Sequence, residues 1–110
     1  MERLVKGDIV VIPFPFSDLS GSKKRPALVL ANFRNDDILL CQITSQQSND
    51  TSALALNSTD CISGSLPVDS FIRPLRIFTA DKNIILRKVG KINIALMGKV
   101  VDCIITTLKQ

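Results

Sequence analysis

Apolar positions along the chain come first in short, β-branched runs and then, near the C-terminus, at helical spacing. Gly7-Asp8 opens the first run, Ile9 to Ile12. Pro13 and Pro15 follow at alternate positions, which excludes a helix there and points to an edge strand or the end of a strand. Ser17 to Lys24 is a polar loop, with Gly21 free to take positive φ. Arg25-Pro26 leads into a second strand, Ala27 to Ala31. The turn signal Arg34-Asn35-Asp36-Asp37 separates it from a third, Ile38 to Thr44, so the pair reads as a hairpin. Ser45 to Ser52 is loop-like, Ala53 to Leu56 a short strand, and Asn57 to Ser65 a second polar loop. Ser70 to Thr79 reads as a strand, and Asn83 to Ile92 as a last one broken at Gly90. Beyond it Leu96, Met97, Val100, Val101, Ile104, Ile105 and Leu108 fall on one helical face. The spacing predicts an amphipathic helix over 94–108, with Asn93 as N-cap and Gly98 as an unfavourable interior residue.

Five or six short strands followed by one helix give a mainly β fold, a small barrel covered by a C-terminal helix. With 110 residues the chain is one domain, 1–110. Hydrophobic residues make up 45% and charged residues 22%, a globular balance. Mean hydropathy is slightly positive, which a shared apolar interface would explain, so a homodimer is expected. No apolar run is long enough to span a membrane, and no apolar signal region precedes the first charges. The expected location is therefore the cytoplasm.

The chain has no histidine, which removes Ser-His-Asp, Cys-His and paired-His chemistry. Neither a P-loop nor a Gly-x-Gly-x-x-Gly motif is present. Cys41, Cys61 and Cys103 lack Cys-x-x-Cys spacing, so no zinc site and no metal or other cofactor is expected. The net charge of +4 suits an anionic partner. Its densest cluster is Ser20-Gly21-Ser22-Lys23-Lys24-Arg25-Pro26, where three consecutive cations meet a strand. Two readings stay open at this level: a phosphate-binding patch, in which an Arg fork holds two phosphate oxygens, or a solvated loop entry. Ile43-Thr44-Ser45-Gln46-Gln47-Ser48 is a second polar cluster, suited to phosphate, ribose or base edges or simply to loop polarity. Arg73 and Arg76 form a third basic feature, and their spacing sets them on opposite faces of a regular strand.

The run Gly7 to Phe16, the loop Ser17 to Lys24 and Arg25-Pro26-Ala27-Leu28-Val29-Leu30 closely resemble the N-terminal signature of MazF/PemK-like toxins. Ile43-Thr44-Ser45 is similar to the family's second motif, and Asp69-Ser70 with Arg76 to Asp81 to its late strand. The resemblance implies an SH3-like barrel of the MazF/CcdB-like toxin type. It also implies a metal-independent endoribonuclease, an mRNA interferase that cuts single-stranded RNA at short motifs. In such enzymes the 2′-hydroxyl attacks phosphorus, leaving a 2′,3′-cyclic phosphate and a 5′-hydroxyl. By the same resemblance the catalytic Arg falls on Arg25 and the catalytic Thr on Thr44. Ser20, Ser22, Lys23 and Lys24 become phosphate contacts, Ser45 and Gln46 base or ribose contacts, and Arg73 an accessory RNA contact. The loop 17–24 should flank the RNA groove.

Some members of the family pair a loop His with an acid two residues after a late Arg. Here there is no His, and Leu75 stands two residues after Arg73. The implied partners are RNA, a second copy of the chain and a cognate antitoxin whose acidic tail crosses the basic groove. The same fold also hosts gyrase inhibitors, and a degenerate member would bind RNA without cutting it. A gyrase inhibitor would not need the Arg25–Thr44 pair, whereas the degenerate reading rests on the missing His and the missing acid.

Overall fold

Alternation along the first three strands divides their side chains between two apolar cores, one on each face of the sheet. The computed structural model describes residues 3–14, 23–47 and 49–110. Its strands are β1 (Asp8–Phe14), β2 (Lys23–Asn32), β3 (Asp37–Thr44), β4 (Leu54–Leu56), β5 (Cys61–Gly64), β6 (Ser70–Asp81) and β7 (Arg87–Ile92). A helix, α1 (Ile94–Leu108), follows them. The strands form one sheet in the order β4-β6-β3-β2-β1-β7-β5, with antiparallel neighbours throughout. The terminal strands do not pair with each other, so the sheet is a curled half-barrel.

Ile9, Leu28, Cys41, Ile43, Ile72 and Ile92 build the first core, and α1 seats Leu96, Met97 and Val100 on it. Val10, Ile12, Ala27, Val29, Ile38 and Leu40 build the second, closed by Leu4 and Ile85. The chain after β6 crosses from β3 to β1 through a 3-10 turn at Lys82–Ile84. Lys82 N donates to Asp36 O at 2.7 Å and Leu86 N to Val11 O at 2.9 Å, which fixes that crossing. Each aliphatic side chain so buried contributes about 2 kcal/mol. Cys41 sits in the first core, where burial pushes its thiol pKa up to about 12 and leaves it an inert apolar group.

Bulges bend the sheet where it curls. Leu30 is the extra residue of β2 against β3, Val89 of β7 against β1 and Ile62 of β5 against β7. In β6 the three residues Pro74, Leu75 and Arg76 lie between the pairs Gln42↔Arg73 and Cys41↔Ile77. Pro74 is buried in that bulge, where no ladder hydrogen bond is lost.

Most expected elements are present, with three differences. Pro13 stands near the end of β1, in line with one of its two readings, and Pro15 lies outside the described residues. β1 is central, but its pairing with β7 stops at Val11, so Pro13 meets no strand on that side. The Asn57 to Ser65 region is not simply a loop, because a 3-10 turn at Ser58–Asp60 leads into β5, which adds a strand beyond β7. Gly90 does not break the last strand. It is paired to both Ile9 and Gly64, and a Cβ there would lie 3.0 Å from Ser63 O, so its glycine serves close strand approach. β2 begins at Lys23, two residues before the expected start, so Lys23 and Lys24 stand on a strand paired with Phe14 and Pro13. Among the described residues no helix is long and apolar enough to cross a membrane.

Helix α1 spans the expected residues, and Asn93 caps it, its Oδ1 accepting from Leu96 N at 2.7 Å. Gly98 is exposed on that helix, and a Cβ added there meets nothing within 4 Å. Gly98→Ala should therefore stabilise the protein by about 1 kcal/mol. Gly64, at φ +59° with an added Cβ only 2.1 Å from Val89 O, should behave oppositely: Gly64→Ala should cost about 2 kcal/mol. Urea unfolding of the two variants against the parent checks both signs.

Candidate functional site

The β2–β3 register decides which polar groups meet at the open end of the hairpin. The paired residues Val29↔Leu40, Leu28↔Cys41 and Ala27↔Gln42 lie beyond the Leu30 bulge. Continued by two residues, that register sets Arg25 opposite Thr44, with both side chains on one face of the sheet. On its other side β2 pairs with β1, placing Arg25 beside Ile12 and Pro26 beside Val11. Val11 in turn pairs with Arg87 of β7. Three strands thus converge on one cleft of about 430 Å³.

Val11 and Ile43 line the cleft with Pro26. Lys23, Lys24, Arg25 and Arg87 supply four positive charges, and among the described residues no acid lines it. Thr44, Ser45 and Gln46 form a polar wall. Thr44 Oγ1 accepts from Gln46 N at 3.2 Å, which turns the chain just after β3. The segment Ser65-Leu66-Pro67-Val68 is the opposite, largely apolar wall. Buried Ser70 holds it by donating from Oγ to Val68 O at 3.0 Å. Arg25 is half-buried, and its Nε is buried with no hydrogen-bond partner. An orphan donor of this kind costs about 1–3 kcal/mol, so the fold holds Arg25 in a geometry that serves something other than stability.

Of the expected site residues, the structure gathers Lys23, Lys24, Arg25, Thr44, Ser45 and Gln46 in this cleft. Ser20 and Ser22 lie outside the described residues, as does most of the loop 17–24. Arg73 is not at the cleft. Its Nε donates to Asp50 Oδ2 at 2.9 Å and its Nη1 to Gln42 Oε1 at 3.4 Å. The three-residue bulge also overturns the expectation that Arg73 and Arg76 occupy opposite faces, since both border one surface depression with Asn49 and Asp50. Arg73 thus acts as a strut beneath the 45–53 loop.

Sequence reading missed Arg87 and the wall 65–68. Nothing in their local pattern marks them, because Arg87 enters through the Val89 bulge and the wall through the β6 approach. The donor set of the cleft can bind an extended polyanion, clamp a phosphoryl group and pack a flat ring against Leu66, Pro67 and Val68. Among the described residues it contains neither carboxylate nor imidazole. Among the described residues no group of three or more His, Cys, Asp or Glu is placed to hold a metal.

Two outcomes follow from these environments. Arg25→Met should keep or raise the melting temperature, because it removes an unpaired buried donor while retaining an unbranched side chain of similar length. A melting scan checks this, and a drop of several degrees would make Arg25 a structural residue. Hydrogen bonds from Ser52 and Arg73 hold the Asp50 carboxyl down at about 2, below its ordinary value. The stability that Asp50 gives is therefore complete above about pH 4 and lost as pH falls towards 2. Asp50→Asn should flatten the acid limb of a stability–pH curve over that window.

The sequence profile of the PemK-like, MazF-like toxins of type II toxin–antitoxin systems matches residues 5–108. No curated protein sequence matches the chain. Among solved structures, the MazE–MazF complex of Deinococcus radiodurans is 17% identical, with 100% of this chain and 99% of that one covered at a TM-score of 0.81. An endoribonuclease from a mycobacterial species, in complex with its cognate antitoxin, is 19% identical, with 97% and 96% covered at a TM-score of 0.74. A second endoribonuclease structure from a mycobacterial species is 18% identical, with 99% and 94% covered at a TM-score of 0.73. At such identities these likenesses speak for the fold, which is that of MazF. The profile covers nearly the whole length, and the chain belongs to the PemK-like, MazF-like toxin family of type II toxin–antitoxin systems.

Proposed function

We propose that this protein is a metal-independent endoribonuclease that cuts single-stranded RNA at short sequence motifs, acting as the toxin of a toxin–antitoxin pair in the cytoplasm. The observation that carries the reading is the unpartnered, buried Nε of Arg25, held opposite Thr44 in a cleft whose described lining carries four cations and no acid. The neighbours described above as endoribonucleases share this fold, which supports the reading.

In the reaction the ribose 2′-oxygen forms a bond to the adjacent phosphorus as the bond to the 5′-oxygen breaks. The products are a 2′,3′-cyclic phosphate and a 5′-hydroxyl. Charge builds on the two non-bridging oxygens, and the Arg25 fork, with Nε now satisfied, neutralises it. Thr44 donates its hydroxyl to a phosphate oxygen and orients the group for in-line attack. The 2′-OH proton leaves to water and the 5′-oxygen takes one from water. Lys23, Lys24 and Arg87 draw the strand across the cleft, Ser45 and Gln46 contact ribose or base, and the 65–68 wall packs the flanking base.

The antitoxin, on this reading, lays an acidic segment over the same cations and excludes RNA. The working unit is a homodimer. Its support is exposed apolar surface on β6 and α1, including Leu75, Ile77, Ile105 and Leu108.

Cleavage of a mixed-sequence single-stranded RNA in excess EDTA tests the proposal. Wild type should cut and leave cyclic-phosphate and 5′-hydroxyl ends. Arg25→Ala should lose about 100-fold or more in rate, roughly 3 kcal/mol of transition-state stabilisation. Thr44→Ala should lose about 10-fold or more, or roughly 1.4 kcal/mol. An absence of cutting across all short motifs would turn the reading to a toxin-fold protein that binds without cleaving, and elution at monomer mass in gel filtration would remove the dimer.

A further inference from the structure

The far end of the β2–β3 hairpin carries a second cleft that the reaction does not use. It has a volume of about 750 Å³ and is lined by Arg3, Leu4, Asn32, Phe33, Arg34, Lys82, Asn83 and Ile85. Seven residues of β2 separate Arg25 from Asn32, a span of about 23 Å at ~3.3 Å per strand residue. The two clefts are therefore distinct.

Its chemistry is specific in three ways. Phe33 is 41% exposed at the hairpin tip, although a large aromatic ring gains by burial. Arg3 and Arg34 line the same cleft, both exposed, and among the described residues neither has an acidic partner. Among the described residues the acids at this end, Asp36, Asp37 and Asp81, do not line the cleft, and the carboxylate of Asp81 is turned onto Asn83 N at 2.8 Å. The cleft is also braced. Lys82 Nζ donates to Phe33 O at 2.5 Å and to Asn35 O at 2.6 Å, which fixes the turn that presents Phe33 and Arg34. Asn32 Nδ2 donates to Leu4 O at 2.6 Å, tying the N-terminal segment beside it. Asn32 Oδ1 is buried without a partner, an acceptor whose cost of about 1–3 kcal/mol a donor entering the cleft would recover.

An exposed ring that shares one cleft with two guanidinium groups and an unpaired amide oxygen matches the needs of an unpaired base and its flanking phosphates. We propose that this cleft is an exosite for single-stranded RNA, engaging the substrate strand at a distance from the scissile bond. A base stacks on Phe33, and Arg3 and Arg34 hold the phosphates on either side. The inference rests on the ribonuclease reading and adds a length requirement to it. Single-strand surfaces of small barrels cover about 4 to 16 nucleotides, so a short RNA fills only the Arg25 cleft and a longer one reaches both.

The test compares RNAs of about 6 and about 16 nucleotides that share one cut site. Binding is read by fluorescence anisotropy in an Arg25→Ala background, and cleavage in an otherwise wild-type chain. Phe33→Leu, which keeps an apolar group but removes the stacking face, and the double variant Arg3→Gln/Arg34→Gln should each raise Kd and KM for the long RNA about 10-fold. They should leave kcat and the short RNA unchanged. Unaltered Kd and KM on the long RNA would overturn the exosite while leaving the nuclease standing, and so would an equal loss on both lengths. Binding of polyglutamate that depends on Phe33 while RNA binding does not would assign the cleft to an acidic protein partner and overturn it also. A parent that neither binds nor cuts either RNA would defeat the ribonuclease reading itself.

Discussion

A single extra residue, Leu30 in β2, sets which groups face each other across the cleft. Near the hairpin turn Asn32 pairs with Ile38 and Ala31 with Leu39. Without the bulge the same register would run on and set Arg25 opposite Ser45, with Thr44 opposite Pro26. Slipping the register by one residue exchanges the faces of a strand, so the bulge decides whether guanidinium and hydroxyl meet. The Val89 bulge does the same on the far side: a regular β7 would put Lys88 opposite Val11, whereas the observed pairing puts Arg87 there. The curl that closes the second core and the convergence of charges at the cleft thus come from the same irregularities.

Those irregularities gather like charges where the fold gains little from them. Lys23, Lys24, Arg25 and Arg87 share a cleft in which, among the described residues, no acid offsets them, and Arg25 keeps an unsatisfied buried nitrogen. Two apolar cores on opposite faces of one sheet supply the stability that tolerates this. Ion pairing is reserved for places where it braces the backbone. Lys88 Nζ lies 3.2 Å from Asp8 Oδ1, and Arg73 lies 2.9 Å from Asp50 beneath the loop that carries Ser45 and Gln46.

The N-terminal signature divides accordingly between folding and chemistry. Gly7 takes φ +97°, a conformation that favours glycine, and fully buried Asp8 accepts from Val5 N at 2.8 Å. Together they form the turn that launches β1, and neither reaches the cleft. Arg25, from the end of the same signature, is the member that does. A motif read as one block is in this protein a turn, a central strand and a cleft-lining cation joined by a β1–β2 register.

The order of the elements, the hairpin and the helix over 94–108 were legible in the sequence because each rests on local periodicity and local caps. Asn93 sits three residues before Leu96 N, and the alternation of β2 and β3 needs no distant partner to be seen. Arg25 and Thr44 were legible as candidates from the family signature. What tertiary structure alone decided was adjacency. Arg73 looked like a cleft residue, but Asp50, 23 positions earlier, captures it. Arg87, Leu66 and Val68 gave no local signal, and strand order brings them in. β5 read as loop because its four residues become a strand only when β7 offers them partners. Periodicity reports which way a side chain points within its own element. Bulges and strand order, set by how two cores pack at once, determine what it points at.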